Sequence, residues 1–214
     1  MRTVLRYFMA SVAVVLAVSG CSSGEGDDAA KGRRVEETCG AFAKSPPAST
    51  AFKSIAGTEN VDEDRSEPDR VLKDLRAAAL KPQSGKTLME AIPFCSPKSA
   101  RDGKDVFLLT FREALALPGR DAASEKVATF FASGELASAS DLRASVYFTC
   151  RMKSPAHDIL IAAELERAEE NQVPQRDIRS DQVTVVNAAA RKVAADLGCQ
   201  NDTKLVTGTP RPAA

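Results

Sequence analysis

Five cysteines lie along this 214-residue chain, and four of them, Cys39, Cys95, Cys150 and Cys199, recur about every fifty residues through its periodic part. No C-x-x-C and no zinc-type spacing links them, so an even set of this kind reads as two disulfides formed in an oxidising compartment. Four cysteines allow three pairings. Chain entropy does not choose among them, because loops of roughly 50 residues are each worth about 4 kcal/mol and tripling a loop adds only about 1 kcal/mol.

The fifth cysteine, Cys21, stands apart. Arg2 and Arg6 precede an apolar run from Tyr7 to Val18, the layout of a secretory signal. Roughly 20 apolar residues are needed to cross a bilayer, and Tyr7 to Gly20 falls short, so residues 1–20 are predicted to be cleaved. The run Val18-Ser19-Gly20-Cys21 resembles a bacterial lipobox, which implies that Cys21 receives a diacylglycerol and becomes the new first residue. Two acyl chains hold a protein on a membrane where one does not. Residues 21–34 then form the lipidated cysteine and a tether. Ser22 to Gly32 is small and polar, and eleven such residues span about 18 Å.

Residues 35–206 are expected to form one domain, and 207–214, with Pro210 and Pro212, a disordered tail. Lys and Arg number 29, matching 29 Asp and Glu; without Arg2 and Arg6 the mature chain stands at 27 against 29, or −2. No basic field exists for nucleic acid, and the adjacent pair Arg33-Arg34 reads as a solvated spacer at the end of the tether.

Val35, Cys39 and Phe42 have helical spacing and predict a short helix ending before Pro46-Pro47, with Cys39 inward. A second helix is predicted from Ser66 as cap and Pro68 in its first turn, with Val71, Leu72, Leu75, Ala78 and Ala79 as one stripe. Phe107, Leu109 and Phe111 alternate with Leu108, Thr110 and Arg112, giving a strand that forms a hairpin with Phe94-Cys95 through Asp102-Gly103. Further strands are expected at Ala128–Ser133, at Val146–Met152 and at Ile159–Leu165, with a polar connection between the first two. Ser124–Phe131 fits a helix as well as a strand. The last helix carries Val183, Val186, Asn187, Ala190, Val193, Ala194 and Leu197 on one face, with Ser180 or Asp181 as cap and Gly198 in the left-handed position. The fold class is α+β: an antiparallel sheet of about four to six strands with flanking helices and two disulfides.

Cys95-Ser96-Pro97-Lys98-Ser99 and Cys150-Arg151-Met152-Lys153-Ser154 share C-x-x-K-S, each followed by an apolar strand. If each is one half of an internal echo, each strand cysteine is most simply stapled within its own half, which favours Cys39–Cys95 and Cys150–Cys199. With its lipobox, its alanine-rich composition, Tyr147-Phe148 before Cys150 and the late Leu197-Gly198-Cys199, the chain resembles small exported lipoproteins of actinobacteria. That resemblance implies a location, and it assigns no activity and no functional residue.

His157, the single histidine, falls in a predicted turn with Asp158 beside it, and no G-x-S-x-G elbow accompanies them. The acidic run Asp62-Glu63-Asp64, continued by Glu67 and Asp69, fails as a calcium loop: an EF-hand register from Asp62 puts Glu67 where Gly belongs and Lys73 where the acid belongs. With no Trp and only Tyr7 and Tyr147, an aromatic sugar platform is disfavoured. The expectation is therefore an extracytoplasmic, membrane-anchored binding or interaction protein of the cell envelope, with no catalytic residue, metal or cofactor. Its partners are the membrane, through Cys21, and an envelope protein. The alternatives are a solute-binding or sensory accessory of a membrane complex, or an exported hydrolase.

Overall fold

The computed structural model describes residues 32–63, 65–81, 89–168 and 177–213. In chain order these form β1 (Arg33–Arg34), two 3-10 turns (Val35–Glu37 and Cys39–Lys44), α1 (Pro46–Ala56), β2 (Asn60–Glu63), α2 (Pro68–Leu80), β3 (Ile92–Cys95), β4 (Pro97–Ser99) and β5 (Phe107–Ala114). There follow α3 (Ala122–Val127), β6 (Thr129–Phe131), β7 (Leu136–Ala139), β8 (Arg143–Cys150), β9 (Ile159–Arg167) and α4 (Ile178–Leu197).

Period-two alternation builds the main sheet, which is antiparallel throughout in the order β3-β5-β9-β8-β7-β6. Phe107, Leu109 and Phe111 of β5, Ile161, Ala163 and Leu165 of β9, and Val146 and Phe148 of β8 point to one face and are buried there. Helix α4 crosses that face over β7, β8 and β9, α2 covers β3 and β5, and α1 packs on α4. Rings of Phe42, Phe52, Phe94, Phe107 and Phe111 meet at centroid distances of 5.0 to 5.9 Å, so the aromatic content is concentrated where α1 and the first 3-10 turns press on the sheet. A smaller sheet, β1-β2-β4, closes the edge near the start of β5. The class is thus α+β with antiparallel sheets of three and six strands.

Both disulfides form in the favoured pairing. Cys39–Cys95 joins the amino-terminal turns to the end of β3, and Cys150–Cys199 joins the end of β8 to the residue after α4. Disulfides of this kind belong to an oxidising compartment. Among the described residues no helix is long and apolar enough to cross a membrane.

Several local expectations are corrected. Val35, Cys39 and Phe42 are buried, yet Cys39, Gly40 and Ala41 all have positive φ (51°, 70° and 57°), which breaks the run into 3-10 turns. The regular helix instead begins at Pro46: prolines in a first turn forgo an amide that has no intrahelical partner, so the pair read as a stop is a start. Ser66 does not cap α2; Glu67 holds that place, and Ser66 Oγ accepts from the Ser96 amide at 3.1 Å. α4 begins before Ser180 and Asp181, and Asp181 accepts from Ser54 of α1 at 2.6 Å. Gly198 takes the left-handed position as expected, at φ 74°.

Asp102-Gly103 closes no simple hairpin, because the link from β3 to β5 contains β4, which pairs with β2. Ser124–Phe131 is helix and then strand, and the polar connection after it contains β7. Arg33-Arg34, although exposed, pairs with β2 and is not tether. The tail is not disordered through Ala213. The Ala132 amide donates to Arg211 O at 2.8 Å, the Ala213 amide donates to Phe130 O at 2.9 Å, and Phe131 faces Pro212, so the tail lines the edge of β6. Backbone groups on a short edge strand need partners, and this tail supplies them.

Candidate functional site

The face of the main sheet turned away from the helices is built from the alternate positions of the same strands. Register places Thr110, Arg112 and Ala114 of β5 beside Glu164, Ala162 and Leu160 of β9, and these beside Ser145, Tyr147 and Thr149 of β8. At its centre Arg112 Nη2 donates to Glu164 Oε1 at 2.9 Å, and Tyr147 Oη donates to the same oxygen at 3.0 Å. Next to them Arg143 pairs with Glu166 at 2.8 Å, and the hydroxyls of Ser138 and Ser145 lie 3.2 Å apart. Below this polar row, Ala114, Tyr147 and Ala162 form a buried apolar floor, with Leu136 and Leu160 packed against it.

Burial, reinforced by the negative Glu164, pushes the Tyr147 phenol up to about 12. The Glu164 carboxylate raises the Arg112 guanidinium in turn. At neutral pH the phenol is therefore a fixed donor and Arg112 a fixed cation, and Glu164 accepts from both. Such a row offers directional hydrogen bonding on an apolar base.

The link from β5 to β6 joins opposite ends of the sheet. β5 ends opposite Leu160, at one end of the sheet, whereas β6 starts beside Ala139 and so at the other, and Arg120 within the link stacks 4.7 Å from the centre of the Phe130 ring. Asp121 caps α3 by accepting from the amides of Ala123 and Ser124, and these bonds, the Ser124 amide first, hold its carboxyl below the usual range. The same link leaves Leu115, Leu117 and Val127 at 60, 45 and 63% exposure, an unusual apolar display for one surface segment. Where it meets β6 and β7 a cavity of about 390 Å³ opens, lined in part by Arg120, Phe130, Leu136, Glu135 and Lys204.

The residues singled out in the sequence are dispersed. His157 lies before β9, with its amide bonded to Ala79 O at 2.9 Å, and its Nε2 is buried with no hydrogen-bond partner among the described residues. Asp158 turns to Arg151 at 3.0 Å, which pulls the carboxyl down. Glu63 accepts from the Cys39 amide at 2.6 Å, and Glu67 pairs with Arg70, so the acidic run serves separate local bonds. Asp64, Tyr7 and Cys21 lie outside the described residues. Among the described residues no three His, Cys, Asp or Glu side chains gather as a metal site.

Sequence reasoning passed over Arg112, Glu164 and the Tyr147 hydroxyl. Their signal was the polar half of three alternating strands, which becomes a site only once β5, β9 and β8 are known to be neighbours. No protein-family model, curated protein or solved structure matches the chain.

Proposed function

We propose that this protein is an extracytoplasmic lipoprotein, held on the membrane through Cys21, that works as a non-enzymatic binding module of the cell envelope. The observation that carries the binding half is the part-exposed Arg112–Glu164–Tyr147 row on the sheet face, together with the exposed Leu115, Leu117 and Val127 of the link that leaves β5. Interfaces of protein partners combine an apolar centre with satisfied polar groups in this way. The leader, the lipobox-like run and the two disulfides support the location.

A photoreactive side chain placed at Leu117, and separately at Lys192 on α4, tests the reading in intact cells. A discrete adduct from Leu117, absent from Lys192 and lost when Glu164→Lys disrupts the row, is the expected result. Equal labelling from both positions, or none from Leu117, overturns it. The cavity of about 390 Å³ favours a second reading, a solute-binding accessory, in which Arg120 and Lys204 face a small ligand.

A further inference from the structure

Asn187 is an oddity in the apolar surface of α4: an amide side chain, 1% exposed, in the middle of a helix. Among the described residues its side-chain bonds serve the tail and the turn beside it. Its Nδ2 donates to Val206 O at 2.8 Å and to Gly208 O at 3.4 Å, and its Oδ1 accepts from Ser133 Oγ at 2.6 Å. Two residues beyond Gly208, Pro210 is buried, and Arg211 to Ala213 then continue along β6 with two ladder bonds. Clamp, proline pocket and strand edge make a receptor for one extended segment, in the manner of strand addition.

The chain before that segment has a fixed point and a weak point. Cys199 is tied to Cys150, the Gln200 amide donates to Arg151 O, and Asn201 Nδ2 donates to Thr149 O, so residues 199–201 cannot leave the body of the protein. Lys204, three residues on, has φ 57°, a left-handed conformation that a side chain disfavours and that is held by the Asp202 carboxylate on its amide and the Gly134 amide on its carbonyl, both at 2.9 Å. A strained hinge between a pinned helix end and a docked strand is the arrangement from which identical copies exchange elements.

We propose that the β6 edge with Asn187 is a strand-acceptor site for the segment Thr207–Ala213, and that it takes this segment from a second copy of the chain as well as from its own. Exchange reproduces the Asn187 clamp, the seat of Pro210 and the β6-edge bonds between copies, and releasing Lys204 from its left-handed conformation then costs the bond from the Gly134 amide. The interface is isologous, and confinement of anchored copies to one surface would raise its occupancy.

The test uses the full mature chain and Pro210→Asp, which puts a charge into the proline pocket and frees the tail without shortening it. Labelled peptide corresponding to residues 207–214 is titrated into the folded Pro210→Asp protein, with circular dichroism and intact disulfides as the check on folding. Saturable binding is expected, weakened roughly tenfold or more when the peptide carries the same substitution. The wild-type protein is expected to show a dimer that grows with concentration in light scattering, disappears in Pro210→Asp and dissolves with excess peptide. Absence of peptide binding by the folded variant overturns the acceptor site. A wild-type protein that stays monomeric at all concentrations, or a dimer indifferent to the peptide, overturns the exchange.

Discussion

Two glycines with the same backbone conformation test how closely parts of this fold approach each other. Gly134 has φ 62°, and a Cβ there would lie 2.2 Å from Tyr147 O; Gly57 also has φ 62° but faces open space. Gly57→Ala is expected to cost about 1 kcal/mol, the left-handed penalty alone. Gly134→Ala must also push β7 from β8 and is expected to cost about 3 kcal/mol or more, measured by urea unfolding. Asn187 was legible as a polar residue within an apolar stripe, but its partners at Ser133, Val206 and Gly208 were not, since nothing local connects them. Tyr147 was legible only as an aromatic residue. Its place beside Glu164 depends on which strands pair, and alternation within one strand carries no such information.

Between elements, the cross-links should dominate stability. The two disulfides close loops with sequence separations of 56 and 49, each worth about 4 kcal/mol in the loop-closure account. Replacing Cys150 and Cys199 together by Ser is expected to lower the melting temperature strongly by detaching the end of α4, as a thermal scan would record. The first 3-10 turn is held to α1 by Glu36, which meets Lys53 at 2.8 Å and Ser49 at 2.5 Å. Those bonds, Lys53 first, pull the Glu36 carboxyl down from 4.5 to about 2. The sign follows: the stabilisation is complete above the unfolded value and is lost as pH falls from 4.5 through about 2. Glu36→Gln should therefore flatten the acid limb of a stability-against-pH curve while leaving its alkaline limb in place. The helices with long apolar stripes, α2 and α4, were legible in the sequence. α1 was hidden because Pro46-Pro47 reads equally as an end or a beginning, and β7 because Leu136-Ala137-Ser138-Ala139 is too short and small to show a period.

For the whole molecule, the α+β class followed from periodicity and the favoured disulfide pairing from the C-x-x-K-S echo, whereas the identity of a binding partner leaves no comparable trace in one chain. Location is more directly testable. Cys21→Ala is expected to move the protein from the membrane fraction to the medium, and mass spectrometry of the unsubstituted protein should find acyl chains on Cys21; a variant retained in the membrane fraction would refute the anchor. The position of α4 in the chain has a further consequence. It follows every strand of the sheet, and it is enclosed on two sides, with Val183, Val185, Val186, Ala189 and Ala190 all buried. A nascent chain lacking α4 leaves β7, β8 and β9 uncovered on the face that α4 crosses, so that part of the core closes only after the last strand and α4 have both emerged. Until α4 docks, those three strands have no packed layer on that face, and the order of the elements itself delays closure of this part of the core.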